Sequence, residues 1–212
     1  MTVRLYDYWR SSAAYRVRIA LSLKGIAYER TPLNLLENEQ GTADNLARNP
    51  QGFVPTLEID GLRLSQSLAI IDYLDAKLPE PRLIPVNPEQ RARTWARSLA
   101  IAADIHPINN LRVMKYLSRE LGVEQDKRDD WYRHWIDEGF TALERMAGDG
   151  PFLGGDAPDM SDVCLVPQMY NARRLNNNLT AFPKLVRIDE AARALAPFAA
   201  AQPENFDPAI SR

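Results

Sequence analysis

Arg10-Ser11-Ser12-Ala13-Ala14-Tyr15-Arg16-Val17-Arg18-Ile19-Ala20-Leu21 is the stretch on which the reading of this chain turns. It follows a strand-like run, Val3, Leu5 and Tyr6 through Tyr8, and opens a helical one, Ser12 to Lys24. Val17, Ile19, Ala20, Leu21 and Leu23 supply the helix with apolar residues, and Gly25 stands where a helix commonly stops. Two serines at a strand-to-helix junction have two possible uses. A serine hydroxyl there caps the helix. It can also donate to an anion, because unpaired N–H groups and the positive end of the helix dipole meet at that point. The residues of this stretch alone leave both uses open.

Working outward, Tyr28 to Thr31 reads as a short second strand, and Ala43 to Arg48 as a weak helix. Thr56 to Ile59 and Leu62 to Leu64 form a predicted hairpin across Asp60-Gly61, a strong turn dipeptide. Ser67 then opens a helix carrying Leu68, Ile70, Ile71, Tyr73 and Leu74. The order βαβ followed by αββα predicts a parallel pair with a crossover helix, then an antiparallel hairpin backed by a helix. That is a four-stranded mixed sheet with helices on its faces. Pro79, Pro81, Pro85 and Pro88 mark a linker.

Beyond the linker, helical periodicity dominates. Trp95, Leu99 and Ala102 share one predicted face, and Leu111, Met114 and Leu117 or Leu121 another. Trp131, Trp135, Ile136, Phe140 and Leu143 form a third stripe. Asp159 before Asp162 predicts a helix N-cap with a capping-box acid. Leu185, Ile188, Ala192 and Leu195 define a final helix. The fold class is therefore α+β: a sheet domain at 1–80, a linker at 81–88 and an all-helical domain at 89–212.

Composition narrows the chemistry. The 212 residues are 45% hydrophobic and 25% charged, the balance of a globular protein that needs no staples. A net charge of −2 gives no global field for nucleic acid or anionic membrane. One cysteine, Cys164, excludes an intrachain disulfide and a cysteine-based metal site, and inside Val163-Cys164-Leu165-Val166 it reads as a buried small hydrophobe. No apolar run approaches the roughly 20 residues of a membrane helix. The amino-terminal residues lack a signal peptide's apolar stretch, which makes the cytoplasm the expected location.

The serine stretch resembles the signature of zeta-class glutathione transferases, a family that includes maleylacetoacetate and maleylpyruvate isomerases. That signature runs Ser-Ser-Cys-x-x-Arg-Val-Arg-Ile-Ala-Leu, and Ser11, Ser12, Arg16, Val17, Arg18, Ile19, Ala20 and Leu21 match it. The similarity continues through Leu23 to Ile26, Asn49-Pro50 to Leu57 and Gln66 to Ile71. It resumes at Ile105-His106-Pro107, at Asn110 to Val113, at Asp162 and Cys164 to Gln168, and at Asn171-Ala172-Arg173-Arg174. One position departs: Ala13 stands where the family carries a cysteine, so a reactive sulfur must come from glutathione. The pattern lies near the maleylpyruvate isomerase branch and leaves the substrate open between maleylpyruvate and maleylacetoacetate.

The resemblance implies a thioredoxin-like first domain, an all-α second domain, glutathione as cofactor, and a homodimer. It implies a cis Val54-Pro55 bond, which frees the backbone of Val54 to pair with glutathione. Gln66 and Ser67 then hold the γ-glutamyl carboxylate at a helix N-terminus, although Ser67 could equally be a plain cap. His106 and Asn110 are implied glutathione contacts. Pro107 should break or kink its helix, and a purely structural His106 is the alternative. Ser11 is the implied thiolate donor, with Ser12 its neighbour and partial substitute. Arg10, Arg112 and Arg174 are the substrate-carboxylate candidates, and the family match favours Arg174. Arg16 and Arg18 are expected to be structural or interfacial, Arg173 to face solvent or an acid, and His134 to be exposed without a role. The implied reaction is thiolate addition to a cis double bond, rotation, and elimination to the trans isomer. A transferase or dehalogenase acting on small α-halo acids, and a non-catalytic glutathione-binding protein, are the competing readings.

Overall fold

The computed structural model describes residues 2–209, which form two compact units. The first comprises residues up to Leu83 together with the tail from Ala194; the second runs from Ile84 to Arg193. Among the described residues, no helix is long and apolar enough to cross a membrane.

The first unit is built on β1 (Val3–Asp7), α1 (Ser12–Leu23), β2 (Glu29–Pro32), α2 (Ala43–Arg48), β3 (Thr56–Ile59), β4 (Leu62–Ser65) and α3 (Ser67–Lys77). The sheet order is β2-β1-β3-β4, with β1 parallel to β2 and the other neighbours antiparallel. This is the mixed sheet the element order predicts. Asp60 and Gly61 both have positive φ, 54° and 77°, as a tight hairpin turn requires. Leu5, Val17, Ile19, Leu21, Leu57, Ile70, Ile71 and Leu74 are wholly buried and make the core between sheet and helices. Lys24, at the end of α1, donates to Asp75 at 2.7 Å and to the carbonyls of Leu78 and Pro81, while Leu83 N–H donates to the same Asp75 carboxylate. This buried pair anchors the proline-rich segment that follows α3.

The tail belongs to this unit. α10 (Ala196–Ala200) packs on α1, and Phe198 and Ala201 are buried. Arg18, 1% exposed, donates to the carbonyl of Ala201 at 3.1 Å and lies 4.6 Å from the Phe206 ring centre. The sequence-based boundary of 89–212 for the helical domain therefore differs from the contacts. Apolar tail residues find their burial on α1, which local periodicity could not reveal.

The second unit contains α4 (Pro88–Leu99), a π-helical segment (Ala100–Ile105), α5 (His106–Ile108), α6 (Leu111–Arg119), α7 (Gln125–Met146), α8 (Met160–Arg174) and α9 (Pro183–Arg193). α7 buries Ile136, Phe140 and Leu143, as its periodicity predicts. α4 does not bury the expected stripe. Thr94 and Ser98 face inward while Leu99 is exposed, because the Thr94 hydroxyl donates to Asp159 at 2.5 Å and draws that face in. α6 has no buried residue, and Leu121 lies beyond its end, exposed. The predicted final helix is split: α9 stops at Arg193, and Leu195 caps α10 instead. Pro197 explains this, since its ring would meet the carbonyl four residues back in a continuous helix. The helix before Pro107 is interrupted as expected, as a π-helical turn rather than a sharp break. Gly139 of α7 faces it; a Cβ there would stand 2.2 Å from Ile105 Cδ1.

α8 starts on the predicted capping box. Asp159 accepts from Ser161 N–H at 2.7 Å, and Asp162 accepts from Asp159 N–H at 2.9 Å. Asp162 also accepts from Leu153 N–H and Gly154 N–H, so one buried carboxylate ties the preceding loop to the helix. Burial, aided by the Asp159 carboxylate, pushes Asp162 up to about 7, while the amide donors pull it down. Folding therefore takes up a proton between the unfolded value and about 7, and this contribution to stability falls as pH rises through that window. Asp162→Ala leaves three N–H groups, two of them buried, without their acceptor. It should lower stability by about 2 kcal/mol or more, a fall of roughly 4–8 °C in Tm. Melting curves of both proteins at pH 5 and pH 8 check this, with the larger difference expected at pH 5.

Candidate active site

Within the first unit, the expected residues gather at two helix starts. β1 ends at Asp7, and the loop Tyr8–Ser11 delivers the chain to α1. Ser11 is the N-cap: its backbone is extended, its N–H donates to Tyr8 C=O at 2.9 Å, and its Oγ accepts from Ala14 N–H at 3.3 Å. Ser12 follows as the first helical residue, 7% exposed. The capping use of Ser11 is thus present, and it leaves the hydroxyl's own proton for a second partner. No acidic residue occupies the first turn of α1, so its positive end is not neutralised from within.

The loop is held from beneath. Arg18 donates to Asp7 at 2.6 Å and to the carbonyl of Trp9 at 2.8 Å, and Arg30 donates to the other oxygen of Asp7 at 2.6 Å. Arg18 is therefore structural, as expected. Arg10 lies over the Trp9 ring, 5.4 Å from its centre, and is half-buried.

The second helix start is that of α3. Gln66 precedes it with a φ of 68° and donates through Nε2 to Gln51 Oε1 at 2.7 Å. Ser67 is the first helical residue, 5% exposed. Its Oγ accepts from Arg16 Nη1 at 3.2 Å, a contact between α1 and α3 that the sequence reading did not find. No local signal gives it away, because the two residues lie 51 positions apart and meet only when α1 packs on α3. α3 likewise carries no acid in its first turn. The Val54–Pro55 peptide is cis, as the resemblance implies. Val54 is half-buried and precedes the β1–β3 ladder, whose last pair is Tyr6 with Thr56.

The second unit holds the remaining residues. His106 is half-buried at the start of α5. Asn110 is the N-cap of α6, its Oδ1 accepting from Arg112 N–H at 3.1 Å, and Arg112 is exposed. Arg173 and Arg174 part company at the end of α8. Arg173 meets the acidic neighbour the sequence leads one to expect, Asp189, at 2.7 Å. Arg174 is exposed, with its guanidinium 5.8 Å from the centre of the Tyr132 ring on α7. Tyr132 is a neighbour the sequence did not single out. Cys164 is buried and His134 exposed.

A thioredoxin-like sheet unit with a cis proline before its hairpin and two uncompensated helix starts, joined in one chain to a helical unit, is the architecture of a glutathione transferase. Residues 1–76 match the family model for the glutathione S-transferase N-terminal domain. The chain is 50% identical over 210 residues to a probable maleylacetoacetate isomerase of Vibrio cholerae serotype O1, covering 97% of each. It resembles the holo structure of a maleyl pyruvate isomerase, a bacterial zeta-class enzyme, with a TM-score of 0.93 and 37% identity over 97% of this chain and 98% of that one. A maleylacetoacetate isomerase from Anaeromyxobacter dehalogenans, solved with glutathione bound in its active site, matches with a TM-score of 0.87 and 44% identity, covering 98% and 97%. The chain belongs to the zeta-class glutathione transferase family of maleylacetoacetate and maleylpyruvate isomerases.

Proposed function

We propose that this protein is a glutathione-dependent cis–trans isomerase that converts a maleyl-keto acid, maleylacetoacetate or maleylpyruvate, to its fumaryl isomer. The observation that carries the reading is the 50% identity, along 97% of the chain, to a relative named as a probable maleylacetoacetate isomerase. Glutathione supplies the thiolate that adds to the double bond, permits rotation and leaves again, so it is not consumed.

Ser11 is the thiolate donor. Its hydroxyl accepts from Ala14 N–H and can give its proton to a sulfur at the mouth of α1. A free thiol with a pKa of about 8.5 is mostly protonated at neutral pH, and a donor at the positive end of a helix shifts it toward the anion. Ser12 is the neighbour and partial substitute. The N–H and C=O of Val54 pair with the cysteinyl backbone, next to Pro55. Gln66 and Ser67 hold the γ-glutamyl carboxylate at the start of α3. His106 and Asn110 keep the glutathione-binding role that the resemblance gives them. Arg174 takes a substrate carboxylate, where a planar guanidinium offers two parallel donors. Arg10 and Arg112 are the further carboxylate partners. The same reading makes the protein a cytoplasmic homodimer.

The test is a spectrophotometric assay with maleylacetoacetate and with maleylpyruvate, each with and without glutathione; conversion that proceeds unchanged without the tripeptide defeats the proposal. Arg174→Ala should lower kcat/KM by about a hundredfold, the loss of charge-assisted hydrogen bonds, with glutathione affinity unchanged. Wild-type activity in that variant removes Arg174 from the site. Ser11→Ala should raise the pKa of the bound thiol by about one unit, read from the pH dependence of thiolate absorbance. An unmoved titration rules Ser11 out as the donor.

A further inference from the structure

Arg16 lies one helical turn beyond Ser12 on α1 and is 2% exposed. From there its Nη1 reaches α3 and donates to Ser67 Oγ at 3.2 Å. A guanidinium carries five N–H donors and no acceptor, and it stays charged. It can occupy a lone pair of the serine hydroxyl but cannot take its proton. The hydroxyl is thereby polarised in one sense: Arg16 fills the acceptor side, and the O–H must point to an acceptor elsewhere. α3 makes no such demand of its own. Gln66 holds the N-cap position with no side-chain cap bond, and a capping hydroxyl would accept rather than donate.

We infer that Arg16 is a positioning residue for the γ-glutamyl carboxylate of glutathione. It holds the Ser67 hydroxyl as a donor toward that carboxylate and places a buried positive charge behind the start of α3. Two positive sources then act on one anion, the helix dipole and the guanidinium, and both are set before the ligand arrives. The inference rests on the reading that Ser67 receives this carboxylate. It differs from a merely structural tie between α1 and α3, which would affect every ligand and every step alike.

Calorimetry of wild type and Arg16→Met with two ligands separates these cases: glutathione, and the analogue γ-aminobutyryl-cysteinylglycine, which lacks only the γ-glutamyl carboxylate. Arg16→Met should bind glutathione about tenfold more weakly, or worse, while its affinity for the analogue stays within about twofold of wild type. KM for glutathione should rise with kcat at saturation little changed. Arg16→Lys, which keeps a charged donor, should recover most of the affinity. If Arg16→Met does not fold, Arg16→Gln is judged by the same criterion. Equal losses for both ligands, or no loss for either, overturn the inference. Wild type that binds no glutathione overturns the proposed function with it. Wild type that binds glutathione without isomerising a maleyl-keto acid removes the reaction alone and leaves the role of Arg16 to the calorimetry.

Discussion

The carboxylate of Asp7 pairs with two arginines that reach it from different directions. Arg18 comes from α1 and Arg30 from β2, each at 2.6 Å, and Asp7 is wholly buried. A buried charge survives only when it is paired and hydrogen-bonded, and removing one partner of such a pair typically costs about 3–5 kcal/mol. Two further donors of Arg18 are also used. They hold the carbonyl of Trp9 in the loop before Ser11 and that of Ala201 in the tail. One guanidinium thus fixes the end of β1, the entry to α1 and the return of the C-terminal segment. The position of Ser11 depends on this loop being held in place.

The helix starts of the chain divide by what neutralises them. α8 closes its own N-terminus, with Asp159 and Asp162 taking its first amides and those of the preceding loop. That end is complete without a ligand. α1 and α3 carry hydroxyls and no acid in their first turns. Their positive ends are not neutralised from within, and the proposed function gives them to the thiolate and the γ-glutamyl carboxylate of glutathione. The difference is one of side chain: an aspartate fills a helix mouth with its own charge, whereas a serine offers a dipole that an incoming anion can use.

Much of this was readable in advance, for identifiable reasons. The strands, the hairpin at Asp60-Gly61, the helix at Ala43–Arg48 and the capping box at Asp159 all depend on residues within a few positions of one another. The serine pair and its neighbours carried the resemblance, and with it the cis peptide at Val54–Pro55. The faces of α4 and α6 were not readable, because an amphipathic stripe shows that a helix has two sides but not which partner it meets. Thr94 turned inward because Asp159, 65 residues away, accepts its proton.

The sequence by itself determined the order of elements, the turns and caps, the absence of a cysteine beside Ser11 and Ser12, and the family to which the chain belongs. Those follow from local chemistry and from a pattern that persists along the chain. Only the tertiary structure decided that the tail packs on α1, that Arg173 is spent on Asp189 while Arg174 stays exposed, and that Arg16 reaches Ser67. Each of these is a contact between residues distant in sequence. Charge and hydropathy state that an arginine needs a partner, and the packing of one helix on another selects which partner it finds.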